Sequence, residues 1–287
     1  MAMTDGGSFF KGRQIALLTK HQKERVIKPI LEKGTGCEVL VNTSFDTDQL
    51  GTFTREIPRR GSQLEAARRK AEKGMELLST DLGLASEGSF GPHPLIPVVP
   101  WNREIVLLID RRETLEIYGE CANTDTNYDH KLVANYEEVE EFANRIGFPD
   151  HWLVLRPDHD GHEFIIKGIN SWQSLREKFR KAFGKSATGA VFLETDMRAH
   201  ANPTRMVNIQ KATEDLVQKL RQQCPRCRVP GFSVVKRRRG LPCEWCGRPT
   251  GEVKAWVYGC SKCGYTRQKR VSRNKRASAG NCPRCNP

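Results

Sequence analysis

The feature that most constrains the fold is a set of four Cys-x-x-Cys pairs in the last quarter of the chain: Cys224/Cys227, Cys243/Cys246, Cys260/Cys263 and Cys282/Cys285. Two residues between thiolates let one tight turn aim both sulfurs at one ion, and two such turns complete a tetrahedral site. Disulfides are the alternative, but four pairs at this spacing fit metal better. The sequence therefore predicts two zinc ions, which are structural because four thiolates leave no open coordination position.

The spacing leaves open which pairs share an ion. The gaps between successive pairs are 15, 13 and 18 residues, each long enough for a short hairpin. Pairing in order gives two consecutive ribbons, whereas nesting gives an inner ribbon over residues 241–265 that the first and last pairs enclose. In either arrangement zinc would supply folding energy that so short a segment cannot obtain from a hydrophobic core.

Positive charge is concentrated in the same segment. From Arg221 onward the chain has 17 Lys and Arg against Glu244 and Glu252, and taking this +15 from the whole-chain +13 leaves −2 for the first 220 residues. A basic small domain is a candidate for binding nucleic acid. Five aromatic residues lie among the cations and could stack on bases or form the module's core: Phe232, Trp245, Trp256, Tyr258 and Tyr265.

The 287-residue length accommodates one large domain and one small domain. We predict a flexible tail over residues 1–12, an α/β domain over 13–220 and a zinc-ribbon module over 221–287. No apolar run approaches the ~20 residues that a membrane span requires. The first residues also lack the apolar segment of a signal peptide, so we predict a cytoplasmic protein without a membrane partner.

Residues 13–220 alternate strand and helix signals, which predicts an α/β fold with a mixed sheet. Apolar runs predict a buried strand at 15–19 and a short strand at 83–86, which leads into a Gly/Pro-rich loop. A helix is predicted over 62–78, where Ser62 and Glu65 have the spacing of a capping box. The last helix of this domain is predicted over 208–222.

Three polar clusters follow predicted strand ends: residues 19–24, Glu65 to Lys70 with residues 86–89, and residues 195–205. Open α/β sheets bind ligands at strand ends, and a helix N-terminus offers free N–H groups to phosphate. The alternative is that these are solvated caps and helix faces. Neither a Gly-x-Gly-x-x-Gly nor a Gly-x-x-x-x-Gly-Lys motif is present, which disfavours ordinary dinucleotide and P-loop sites.

Two further segments are weaker candidates for metal binding, and each also has an ordinary structural interpretation. Residues 158–162, with two Asp and two His, could ligate a metal or form a polar hairpin tip. Asp46 and Asp48 could hold a divalent ion through paired carboxylates or serve as turn residues.

The whole chain resembles a bacterial family of uncharacterised function, which implies no established activity. The segments that carry this resemblance are TKHQKERVI, FDTDQLGTFTREIPR, GLASEGSFGP, TDMRAHANPTRM and the closing Cys-x-x-Cys pairs.

The α/β domain also distantly resembles nucleoside triphosphate pyrophosphatases of the inosine/xanthosine triphosphatase type. Thr19, Lys23 and Glu24 are similar to their early Thr/Ser, Asn, Lys, Glu motif, with His21 in place of the asparagine. EAARRKA (65–71) resembles their Glu-Asn-Ala-x-x-Lys-Ala helix, and GLASEGSFG resembles the strand that enters their acidic, Gly-rich loop. The basic residues of the third cluster resemble a turn before their last helix.

The second resemblance implies a pyrophosphatase-like fold and Mg²⁺-dependent hydrolysis. Glu65 and Glu87 would hold Mg²⁺, which activates water, and Lys23 would complete the catalytic set. Substrate-binding residues would be Thr19, His21, Lys70, Arg198, His200 and Arg205, with the cations neutralising phosphate charge. The alternatives are a non-catalytic, zinc-dependent nucleic-acid-binding protein and a protein-interaction adaptor.

Overall fold

The computed structural model describes residues 9–45, 61–272 and 274–287. Five helices and twelve strands lie in these ranges. In chain order they are β1 (Gln14–Leu18), α1 (Glu24–Thr35), β2 (Glu38–Asn42), α2 (Gln63–Leu78), β3 (Leu82–Pro92), β4 (Pro100–Asp110), β5 (Leu115–Asn123), β6 (His130–Val133), α3 (Tyr136–Ile146), β7 (Leu153–Pro157), β8 (Ile166–Ile169), α4 (Trp172–Phe183), β9 (Val191–Thr195), α5 (Pro203–Arg221), β10 (Ser233–Arg239), β11 (Val253–Gly259) and β12 (Thr266–Arg270).

A five-stranded mixed sheet, in the order β2-β1-β3-β4-β5, forms the centre of the fold. β1 pairs in parallel with β2 and β3, whereas β3, β4 and β5 form an antiparallel meander. Side chains alternate between the faces of a strand, so Leu84 packs with α1 and α5 on one face while Ala85 packs with α2 on the other. The sheet is thus covered by helices on both sides.

A second, antiparallel sheet has the order β6-β9-β7-β8. Its core is separate and is formed with α3 and α4, whose residues Phe142 and Leu175 are fully buried. The α/β class predicted from the sequence is therefore present, but its strands are divided between a mixed sheet and an antiparallel sheet. Periodicity shows that strands exist and does not show which sheet each one joins.

The prediction of a short strand at 83–86 followed by a loop was wrong. β3 continues to Pro92 and pairs with β4 along eleven residues, so the connecting turn is confined to residues 93–99. The glycines of this segment predicted a loop, but they lie in a strand because their backbone pairs with that of β4. β1 pairs with β3 only as far as Leu84, so β3 extends beyond the end of its neighbour.

The first residues of α2 and α5 belong to the predicted polar clusters. The predicted capping box of α2 is confirmed, with reciprocal bonds between Ser62 and Glu65. α5 begins at Pro203, five residues before its predicted start, because Asn202 caps it and proline suits the first helical position. Arg205 therefore lies on the first turn of a helix.

Of the predicted tail, residues 1–8 lie outside the described ranges, and Phe10 is fully buried in the main core. The carboxyl-terminal segment forms a third sheet, β10-β11-β12, in which all pairs are antiparallel. Within the described ranges, every helix is too short or too polar to span a bilayer.

Candidate functional site

The eight paired cysteines form two groups of four. The first tetrad contains Cys224, Cys227, Cys260 and Cys263, and the second contains Cys243, Cys246, Cys282 and Cys285; within each, the Sγ atoms lie within 4.8 Å of one another. Four Sγ–Sγ distances are 3.7, 3.6, 3.9 and 3.7 Å. A zinc ion 2.3 Å from four sulfurs requires about 3.8 Å between them. Each tetrad could therefore hold one structural zinc ion.

The two tetrads interleave along the chain, so neither the consecutive nor the nested arrangement is correct. The first Cys-x-x-Cys pair joins the third, and the second joins the fourth. The reason is that the gaps hold single strands instead of hairpins: β10, β11 and β12 each run from one tetrad to the other. A seven-residue strand such as β11 spans roughly 23 Å, so the tetrads lie at opposite ends of one small sheet.

Local backbone donors favour the thiolate form of one cysteine in the second tetrad. The N–H groups of Arg284 and Cys285 lower the pKa of Cys282 to about 6, which favours the thiolate form that binds metal. At the first tetrad, Phe232 is buried and stacks against Tyr258 and Tyr265, with ring centroids 5.9 Å apart in both pairs. These three aromatics form a core beside the sulfurs. Trp245, by contrast, is 77% exposed at the second tetrad.

The first tetrad packs against the large domain. Leu115 of β5 belongs to the same hydrophobic cluster as Cys224 and Cys260. Gly231 approaches Ile117 so closely that a Cβ at this glycine would lie 2.7 Å from the isoleucine side chain. Lys262 forms an ion pair with Glu113 across the same boundary. The second tetrad is held by contacts within its own segment, including the bond from Ala279 N to Glu244.

A second candidate site lies at the carboxyl end of β1. The chain passes from β1 to β2 on one side and then crosses to β3 on the other side, so the strand order reverses at β1. Open α/β sheets bind ligands in the crevice beyond such a point. The residues gathered there, which we term the polar cluster, are Lys23, Lys70, Glu87, Glu104 and Arg205, all of them buried or largely so.

Lys23 occupies the edge of β3 that β1 leaves unpaired. Its Nζ donates a hydrogen bond of 3.0 Å to the Ser86 carbonyl oxygen. Burial, followed by the charge of Arg205, lowers the pKa of Lys23 to about 7. The two residues before it, His21 and Gln22, both have left-handed backbone conformations, with φ of 71° and 63°. Such strain in non-glycine residues costs about 1–3 kcal/mol each and is concentrated at functional sites.

Two ion pairs flank Lys23 on opposite faces of the sheet. On the α2 face, Lys70 contacts the Glu87 carboxylate. On the α5 face, Arg205 Nε donates to Glu104 Oε1 at 2.6 Å, with both side chains fully buried. Gly88 is required there, because a Cβ at this position would lie 2.6 Å from Glu104 Oε1 and 2.7 Å from Arg205 Nη2.

The polar cluster has more positive than negative groups. Three basic groups face two carboxylates, and the third basic group, Lys23, is only partly protonated near neutral pH. Among the described residues the buried Glu104 Oε2 and the Ser86 hydroxyl have no hydrogen-bond partner. Unsatisfied buried polar atoms are costly and are often completed by a ligand or water. The Glu104 oxygen only accepts hydrogen bonds, so water or a ligand hydroxyl would satisfy it, whereas the Ser86 hydroxyl can donate to an anion. An anion with several oxygens, such as phosphate, matches this excess of positive charge.

Imidazole and indole rings lie beside the polar cluster. The rings of His21 and His200 are 5.0 Å apart, and Trp152 meets His200 edge-on at 5.3 Å. Burial, together with the charge of Lys23, lowers the pKa of His21 to about 2, and burial also lowers that of His200. Both histidines are therefore uncharged near neutral pH, and their rings can stack on a flat ligand.

The remaining predicted site residues lie at the margin of the cluster. Thr19 is buried at the end of β1, where its hydroxyl donates to the Lys20 carbonyl oxygen. Glu65 is occupied by its cap, accepting from Ser62 N at 2.6 Å. Arg198 is paired with the buried Asp196, at 2.9 and 3.1 Å from Nε. Asp46 and Asp48 lie outside the described residues, and Asp158 bonds to Ser186 and Thr188 as a turn residue.

The described residues do not provide a preformed Mg²⁺ site. Their only groups of three or more metal-ligating side chains are the two cysteine tetrads. Glu65 is engaged by its helix cap and Glu87 by Lys70. The donor set suits an anion better than a bare divalent cation, so Mg²⁺ bound by Glu65 and Glu87 stays a prediction from the resemblance.

A family model described as a domain of unknown function (DUF6671) matches residues 70–287, which is about three quarters of the chain. The chain belongs to the DUF6671 family. No curated protein and no solved structure matches it. The DUF6671 match includes both cysteine tetrads and four members of the polar cluster, whereas Lys23 precedes it. The match fits the prediction of a family of uncharacterised function over residues 70–287.

Proposed function

We propose that residues 13–220 form a nucleotide-binding domain whose polar cluster holds the phosphate groups, and that residues 221–287 form a zinc module. The observation that carries this proposal is the meeting of three separately predicted polar segments around Lys23. Lys23 comes from the first segment, Lys70 and Glu87 from the second, and Arg205 from the third. Reduced thiols and zinc also fit a cytoplasmic protein.

The surroundings of the cluster supply the other half of a nucleotide site. A phosphate at the end of β1 would favour the charged form of Lys23, and it would lie near the N-terminus of α1, where the helix dipole favours anions. The neutral rings of His21 and His200 stand beside this position and offer a stacking surface for a base. Thr19 would support the end of β1 next to the ligand. Arg198 would approach the ligand from the opposite side.

The resemblance to pyrophosphatases extends the proposal to a reaction. Water would form a new bond to the α-phosphorus of a nucleoside triphosphate, the bond from that phosphorus to the bridging oxygen would break, and pyrophosphate would leave with both electrons. Glu87 or the unpartnered oxygen of Glu104 would accept the proton from water. Mg²⁺, when bound to the nucleotide, would lower the charge repulsion between its phosphates.

Binding is tested with a pair of lysine variants on one helix. Lys70→Gln removes a cation of the polar cluster, and Lys73→Gln removes a half-exposed lysine three residues further along α2. Charge-assisted bonds are worth about 1.5–3 kcal/mol, so Lys70→Gln should weaken nucleoside triphosphate binding roughly 10- to 100-fold by calorimetry. Lys73→Gln should bind like the unaltered protein. Equal affinities in both variants would contradict the site.

Hydrolysis is tested separately. The purified protein, with Mg²⁺ in the buffer, should release pyrophosphate from at least one member of a panel of common and damaged nucleoside triphosphates. Glu87→Gln should lower that rate at least 100-fold, because a positioned general base contributes about 10²–10⁴ in rate. Binding without pyrophosphate release would support a nucleotide-binding protein and contradict the proposed enzymatic activity. Pyrophosphate release that persists in Glu87→Gln would contradict the catalytic role of Glu87.

A further inference from the structure

The sheet of the zinc module is strongly basic and carries no acidic residue. Its three strands contain eight Lys and Arg and neither Asp nor Glu: Lys236, Arg237, Arg238, Arg239, Lys254, Arg267, Lys269 and Arg270. All eight are exposed, and none forms an ion pair within the part of the chain that the structure describes. The central strand β11 separates the two basic edge strands, so no cation lies directly opposite another. Eight like charges on one small sheet still repel one another and attract polyanions, so an anionic partner would stabilise this arrangement.

Strand register sorts these cations onto two faces. Arg237, Trp256 and Lys269 lie directly opposite one another across the three strands. Tyr258, two residues after Trp256, points to the same face and lies opposite Arg267. We call this the aromatic face; Lys254 also lies on it. The other face holds Ala255 opposite Arg238 and Arg270, and Val257 opposite Lys236.

The aromatic face combines ring surfaces with flanking cations. The Arg237 guanidinium lies 5.3 Å from the centroid of Trp256, so it can continue a stack of planar groups. Tyr258 joins this row to Phe232 at the first tetrad. Trp256 and Tyr258 are only partly buried, and they lie about 7 Å apart along β11.

We propose that the aromatic face binds single-stranded nucleic acid, independently of the nucleotide site of the large domain. Lys254, Arg267 and Lys269 contact phosphates, and unpaired bases stack on Trp256 and the Arg237 plane. Base–aromatic stacking contributes about 1–3 kcal/mol per base and is tolerant of sequence. A duplex keeps its bases stacked on each other and cannot use the rings, so single strands are preferred. The zinc ions hold the ends of the sheet and do not touch the ligand.

Two double charge reversals on the full-length protein separate the aromatic face from general basicity. Arg267→Glu/Lys269→Glu alters the aromatic face, and Lys236→Glu/Arg270→Glu alters the opposite face by the same charge. Binding of a labelled 12-nucleotide single-stranded DNA is measured by anisotropy across salt concentrations. The first variant should bind at least tenfold more weakly, with a salt slope smaller by about 1.4 because two phosphate contacts are lost. The second should lose less than threefold.

A tryptophan pair tests stacking on the same probe. Trp256→Leu removes the ring and should weaken binding about 5- to 100-fold while keeping the salt slope. Trp245→Leu, at the exposed tip of the second tetrad, should bind like the unaltered protein. Two zinc ions per chain in every variant establish that the module is folded. Equal losses in the two charge variants, equal affinity for a duplex of the same length, or equal competition by polyglutamate would overturn the proposal.

Discussion

Among single residues, Lys23 has the environment least expected of a lysine. It is almost fully buried beside Arg205 and Lys70, and its Nζ donates a hydrogen bond to the neutral Ser86 carbonyl oxygen. Burial costs a charged group several kcal/mol unless a partner compensates it. A lysine with a pKa of about 7 is therefore divided between two protonation states near neutral pH, and a bound anion would select the charged one.

The first prediction concerns this protonation. In the free protein Lys23 is largely neutral above pH 7, although an unfolded lysine is protonated up to about 10.4. Phosphate favours the ammonium form, so binding should take up a proton, and affinity should fall as pH rises from 7 to 9. Calorimetry in two buffers of different ionisation enthalpy measures the uptake. Lys23→Gln removes it and flattens the pH dependence that remains after the nucleotide's own ionisation is subtracted. Uptake that persists in Lys23→Gln would assign the proton to another group.

All three cations of the polar cluster could be predicted from the sequence, whereas Glu104 was missed. Lys23, Lys70 and Arg205 stood in dense polar segments at strand ends, which is a recognisable signal. Glu104 lies in β4, just before the apolar run at 105–109 and outside the three polar segments that the sequence indicates. A charged residue two positions from a buried valine on the same face is a signal that could have found it. Trp152 gave no such signal, because its place beside His200 depends on the second sheet.

At the scale of elements, the zinc module shows why spacing identifies ligands without identifying their partners. A gap of 13 to 18 residues accommodates a hairpin or a single strand with its turns equally well. The strand in each gap becomes apparent only when β11 pairs with β10 on one side and β12 on the other. Each of the three strands runs from one end of the sheet to the other. Alternate Cys-x-x-Cys pairs therefore lie at the same end of the sheet. The predicted length of β3 was wrong for a related reason, because the pairing with β4 that extends β3 to Pro92 is not apparent from its glycine-rich sequence.

The second prediction tests interleaving by metal stoichiometry. Cys224→Ser/Cys260→Ser places both changes in the first tetrad, so the protein should lose one zinc ion and keep the other. Cys224→Ser/Cys243→Ser damages both tetrads and should lose two, because a tetrad with three thiolates binds zinc far more weakly. Native mass spectrometry counts the ions. Consecutive pairing predicts one ion lost from the second variant, so the two arrangements give opposite results. Cys37→Ser, outside both tetrads, should keep two.

At the scale of the whole molecule, the two tetrads have different relations to the large domain. The first shares a hydrophobic cluster with Leu115 and brings Gly231 against Ile117. The described contacts of the second stay within the carboxyl-terminal segment, through Cys243 with Ala277 and Glu252 with Asn281. Zinc at the first tetrad therefore supports the edge of the main sheet as well as its own module. Chelation should affect β5 through that tetrad alone.

The last prediction follows from this asymmetry and uses hydrogen exchange of the β5 amides. Cys224→Ser/Cys260→Ser removes the first ion, releases the packing on Ile117 and frees Lys262 from Glu113. The exchange of β5 and the last turn of α5 should then accelerate at least tenfold, corresponding to a loss of about 1.4 kcal/mol. Cys243→Ser/Cys282→Ser removes the second ion and should leave these amides unchanged while exposing residues 274–287. If both double variants accelerate exchange in β5 equally, the module transmits the loss of either ion along its whole sheet, and the first tetrad is not the joint with the large domain.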